Sequence, residues 1–133
     1  MKWSLIFILS LLGFLMAIAT IFLIPTSIEP FFWIPIFLVY AYIIAKRAEG
    51  DYFLHGLFLG IANSLWISLM HAMLFTKYIF NNGYVSETLA KLPKFGPPRL
   101  MLLIYGPMIG VIAGIILGLL CAGASKIIES EIA

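Results

Sequence analysis

Two side chains in this sequence could do chemistry inside an otherwise apolar stretch: the amide Asn63 and the imidazole His71. Ser64 and Ser68 lie between them and complete a neutral polar set. A histidine titrates near physiological pH, so His71 could relay a proton or hold a ligand. The same ring could instead bond a neighbouring hydroxyl or carbonyl and keep helices in register. Sequence leaves both roles open. The other histidine, His55, comes sixteen residues earlier. On one helix that is about 24 Å, too far for the two rings to share a metal ion. His55 projects from the opposite face, near the start of its helix, and is read as interfacial. Cys121 is the single cysteine, which excludes an internal disulfide, a redox pair and a four-thiolate site. It reads as a small buried hydrophobe. The chain has no phosphate-cradling loop and no Ser/His/Asp signature. No catalytic residue, cofactor or metal is expected.

Composition names the solvent these groups sit in. Of 133 residues, 63% are hydrophobic and 11% charged, and the net charge is +2. Soluble domains average about 45–50% apolar and about 25% charged residues. So few charges cannot cover a water-soluble surface. A soluble enzyme, a nucleic-acid binder and a disordered tail are excluded, and an integral membrane protein remains.

Four apolar stretches are read as spans, the second of them short for a bilayer. The first runs over residues 3–24 and is closed by Pro25. Ala17-Ile18-Ala19 looks like the pattern before a signal-peptidase site. The apolar run continues past it, beyond the 7–15 or so residues of a signal core, so an uncleaved helix is expected. The second span covers 31–45, with Phe31, Phe32 and Trp33 as an interfacial anchor and Pro35 in its first turns. Lys46, Arg47, Glu49 and Asp51 form a charged turn around Gly50. The third span covers 52–80 and ends at the turn signal Asn81-Asn82-Gly83. A polar loop from Tyr84 to Pro98 follows, with a short interfacial helix capped by Ser86. The fourth span covers 100–128, with Pro107 near its start. The expected fold is all-α: a polytopic four-helix bundle with a polar loop between helices 3 and 4.

Small residues mark the faces that should meet. The fourth span carries Gly106, Gly110, Gly114 and Gly118, one every fourth position. Lipid is as apolar as leucine, so membrane helices associate where small residues let backbones approach. In the third span Gly56, Gly60, Asn63, Ser64, Ser68 and His71 fall on an arc of about 140°. The first span adds Ser10, Gly13, Ala17 and Thr20.

Every charge lies near a span end or in a loop. Lys77, Lys91, Lys94 and Arg99 gather on the long-loop side, where they could engage anionic lipid head groups or form a solvated collar. With both termini on one side, Lys and Arg number four on each side of the membrane. Lys2 before the first helix and Glu29 after it favour cytoplasmic termini.

The order of features resembles a family of small bacterial four-helix membrane proteins, a domain of unknown function. The resemblance rests on Ala45-Lys46-Arg47, on His55-Gly56-Leu57-Phe58-Leu59-Gly60, on Phe75-Thr76-Lys77-Tyr78 and on Gly106-Pro107-Met108-Ile109-Gly110. It implies a bacterial cytoplasmic membrane and assigns no catalytic residue.

Two functions follow as expectations. The first is a non-enzymatic assembly protein that self-associates, or joins a larger membrane complex, through its small-residue faces. The second is a small transporter or channel with a path lined by Asn63, Ser64, Ser68 and His71. Membrane lipids are partners in both, and nucleic acid in neither.

Overall fold

The computed structural model describes residues 1–25, 27–93 and 96–132, with side chains except at 84 and 129–132. Its helices are α1 (Trp3–Phe22), α2 (Glu29–Arg47), α3 (Tyr52–Met73), α4 (Phe75–Asn81), α5 (Gly83–Lys91) and α6 (Pro98–Ile132). No strand occurs among the described residues. Four helices, α1, α2, α3 and α6, are long and apolar enough to cross a membrane. Their number and order agree with the spans expected from sequence.

Local chemistry sets several helix ends. α2 has Glu29 in its first turn and proline at its start, where a missing N–H costs nothing and a negative charge suits the helix dipole. Lys46 and Arg47 complement the opposite end. The turn into α3 runs through three left-handed residues, Glu49, Gly50 and Asp51, with φ of 61°, 137° and 49°. At Gly50 only glycine adopts that angle without strain.

α3 is the centre of the bundle. It packs chiefly on α6 and next on α1, while α2 leans mainly on α6. The α3–α6 contact is antiparallel and runs backbone to backbone. Gly56 faces Gly118, Gly60 faces Gly114, Ser64 faces Gly110 and Ser68 faces Gly106. Each step of four along α3 meets a step of four back along α6. A Cβ on Gly56 would lie 2.6 Å from the Gly118 Cα, and one on Gly60 would lie 2.7 Å from the Gly114 nitrogen. At Gly106 and Gly110 the added carbon would overlap the hydroxyls of Ser68 and Ser64. The small-residue faces of spans three and four therefore meet each other within the chain.

Three expectations need correction. The third span does not run unbroken to residue 80, because the helix breaks at Leu74. No proline or glycine causes the break. In a continuous helix, residues 71 and 78 would sit about 10 Å apart along the axis. Here the His71 and Tyr78 rings stack with centroids 3.7 Å apart, which requires α4 to fold back. The polar segment after Asn82 is also largely helical, and α5 begins at Gly83 rather than after a Ser86 cap. Finally, His55, expected on the outward face of its helix, is enclosed by protein. It is 1% exposed and tucked beneath the start of α1. Its Nε2 accepts the Lys2 backbone N–H at 3.1 Å, so Nδ1 carries the proton and donates to the Asp51 carbonyl at 2.8 Å.

The seam makes a direct prediction. Gly114→Leu should cost about 3 kcal/mol, because its Cβ alone would lie 2.6 Å from the Leu57 carbonyl oxygen. Thermal melting in detergent measures this. Gly123→Leu, at a site with nothing within 4 Å, should melt as the wild type does.

Candidate functional site

The register of α1 on α3 positions the polar groups. On α1, Ser10, Gly13, Ala17 and Thr20 are all buried. Three of them, Ser10, Gly13 and Thr20, meet a polar side chain of α3. The Trp66 indole N–H donates to the Ser10 hydroxyl at 3.1 Å. Gly13 lies against Asn63, and a Cβ on Gly13 would overlap the amide oxygen. Thr20 Oγ1 lies 2.8 Å from His71 Nε2 and donates to the Ala17 carbonyl at 3.0 Å. A hydroxyl has one proton, so where Thr20 donates to Ala17 it is the His71 ring that donates through Nε2 to Thr20.

Asn63 is poorly satisfied. Its carbonyl oxygen lies 3.4 Å from the Tyr40 hydroxyl, which donates at 2.9 Å to the Leu9 carbonyl. Its amide nitrogen is buried and has no hydrogen-bond partner among the described residues. Leaving a buried amide donor unpaired costs about 1–3 kcal/mol, so such groups call for an explanation.

A cavity of about 580 Å³ lies beside these residues. That is within the range of about 300–1,000 Å³ usual for small-molecule sites. All four polar residues singled out from sequence, Asn63, Ser64, Ser68 and His71, line it. Along α3 its wall runs from Gly60 to His71, a depth of about 16 Å at the helical rise. The facing wall is the first half of α6, including Gly106 and Gly110. The third wall is the first half of α2, where Trp33 and Phe37 pack edge to face at 5.9 Å. The buried residues of α2 all belong to its second half: Tyr40, Ala41, Ile44 and Ala45. Its first half is only partly buried, with Trp33, Ile36 and Phe37 on the edge of the core, and it borders the space. Leu89 and Leu92 close the end beside α5.

The remaining candidates divide clearly. Gly60 both lines the cavity and belongs to the seam, whereas Gly56, Gly114 and Gly118 serve the seam. Lys77, Lys91 and Arg99 are exposed and lie outside the cavity. The Arg99 guanidinium sits 5.8 Å over the Phe75 ring. Lys94 falls outside the described residues. Cys121 is buried in the apolar cluster around Ile44 and Leu117, as a small hydrophobe would be. Among the described residues, no group of three or more His, Cys, Asp or Glu could hold a metal ion.

Sequence reasoning missed four residues. Glu29 lines the cavity at the start of α2 and accepts the Trp33 indole N–H at 3.0 Å. The spacing of Glu29, Trp33 and Phe37, one turn apart on one face, was the available signal. Tyr78 lines the cavity only because the chain breaks at Leu74. Asn81 and Asn82, read as a turn, donate to the Ile21 and Thr20 carbonyls and so cap the open end of α1.

Thr20→Val keeps the side-chain shape and removes the partner of His71. It should cost about 1 kcal/mol in a denaturant melt, while the exposed Ser4→Ala should leave stability unchanged. No family model, no curated protein and no solved structure matches the chain.

Proposed function

We propose that this chain is an integral membrane protein that binds a lipid-soluble small molecule in the α2–α3–α6 cavity and acts as a small carrier or transporter. One observation carries the reading: Asn63, Ser64, Ser68 and His71 all line a single cavity rather than lipid, and the buried Asn63 amide nitrogen has no partner among the described residues. Polar groups within a membrane are costly, and where they persist they mark ligand or substrate paths. The rest of the wall is mostly aliphatic and aromatic, the usual character of a site that buries an apolar body and orients it with a few polar atoms.

The proposed setting is a bacterial cytoplasmic membrane with both termini cytoplasmic. In that orientation the cavity lies in the outer half of the bundle, closed by α5. Exposed Lys77, Lys91 and Arg99 would then meet lipid head groups on the outer face.

A second reading is assembly with copies of the chain or with a larger membrane complex. It is supported by large exposed apolar residues such as Ile8 and Leu15 on α1 and Ile112 and Ile116 on α6. Lipid contact accounts for the same exposure. The glycines that would have carried close association with a partner, Gly110 and Gly114, are buried within the chain.

Native mass spectrometry of the purified protein tests the first reading. A stoichiometric non-protein adduct is expected on the wild type. It should be lost from Ile67→Trp, which fills the cavity from α3, at unchanged melting temperature. A wild type without adduct, or an adduct kept by Ile67→Trp, would overturn the proposal.

A further inference from the structure

Asn63 is more demanding than its neighbours. Ser64 satisfies itself by donating to the Ile61 carbonyl at 2.7 Å, and His71 is paired with Thr20. Asn63 has one contact, at the long limit of a hydrogen bond, to a hydroxyl with a better acceptor elsewhere. Its side chain is also provided for, because Gly13 on the neighbouring helix leaves the volume it fills. An apolar residue could have filled the same space without an unpaired amide. The unpartnered amide nitrogen is buried on a residue that lines the cavity, so a ligand there is the acceptor within reach of a small side-chain adjustment.

We infer that the cavity takes a single-chain, electrically neutral molecule with its acceptor oxygen, a carbonyl or ether, at Asn63 and its apolar body against Trp33, Ile67 and Ile109. The inference rests on the cavity reading above and names its ligand class. An unpaired N–H selects an acceptor. Glu29 is the single charged group among the lining residues described, which disfavours an anion. Its carboxylate already accepts from Trp33 and lies at the start of α2, away from Asn63. Depth excludes a phospholipid. Asn63 is near the middle of Tyr52–Met73, whereas a diacyl lipid keeps its ester groups at the bilayer surface beneath a charged head. Only a molecule whose polar group can leave the surface brings an oxygen to that level.

The test uses a protein with Trp33 as its single tryptophan, made by Trp3→Phe and Trp66→Phe, in dodecyl maltoside micelles. Quenching of Trp33 is titrated with methyl dibromostearate, dibromo-octadecane, dibromostearate, dibromo-octadecylamine and a dibromostearoyl phosphatidylcholine. Competition by unbrominated methyl stearate separates bound quencher from quencher in the micelle. The methyl ester should quench saturably and bind about tenfold tighter than the alkane, the worth of one hydrogen bond to a buried donor. In Asn63→Leu the ester and alkane should bind alike. Because the ratio is taken within each protein, partial loss of folded material does not alter it. If Asn63→Leu does not fold, the ratio in the Asn63 protein decides. Equal binding of ester and alkane there would overturn the assigned ligand class and leave the cavity reading standing. Tighter binding of the carboxylate, the amine or the phosphatidylcholine would overturn it as well, as would a tenfold ratio that survives Asn63→Leu. If no probe quenches saturably, both readings fall.

Discussion

Direct contact between the backbones of α3 and α6 governs the rest of this molecule. Without side chains between Gly56 and Gly118, or between Gly60 and Gly114, two long helices lie close over several turns. Dispersion between backbones then does what hydrophobic burial does in water. Further along, serines replace glycines on α3, and Ser64 and Ser68 face Gly110 and Gly106. The pair can stay close there because α6 still offers no side chain. The seam thus begins as pure packing and becomes the polar wall of the cavity without changing register. α2 has no such face, and only its second half is fully buried, while Trp33, Ile36 and Phe37 of the first half pack on the edge of the core. The space beside its first half follows from that unequal grip.

A second set of constraints surrounds α1. Its stripe of small and hydroxyl residues receives Trp66, Asn63 and His71 of α3 in turn. Its last carbonyls would otherwise face an apolar environment without partners, and Asn81 and Asn82 supply them. That demand helps explain why the chain breaks at Leu74. A straight α3 would carry both asparagines away from α1 and separate Tyr78 from His71. Polar satisfaction at one helix end therefore shapes the lid-like segment at the end of the cavity.

Much of this was legible in the residues. Composition and the apolar runs defined four long helices. The four-residue spacing of Gly106 to Gly118 marked a face for close contact, and the projection of α3 grouped Asn63, Ser64, Ser68 and His71. What periodicity cannot reveal is the partner of each face. The glycine stripes were equally suited to a second copy of the chain, and the choice of α6 for α3 depends on matched antiparallel spacing of two segments far apart in sequence. The break at Leu74 has no local signal, since its cause is a ring and two amides meeting another helix. His55 was misjudged for a similar reason: projection placed it off the polar face of α3, but Lys2 brings a backbone N–H to it from α1. Glu29 sat in a link when the second span was drawn from residue 31, and became part of the cavity once α2 began two residues earlier.

The placement of the polar pairs has a bearing on biogenesis. His71 and Asn63 find Thr20, Tyr40 and Gly13 within the first three long helices. Those contacts are available before α6 has left the ribosome. Ser64 needs no later helix, because its hydroxyl bonds to its own preceding turn. α6 supplies the glycine face that completes the packing. The first three long helices therefore already hold the partners of His71 and Ser64, and the last helix closes the fold instead of rescuing it.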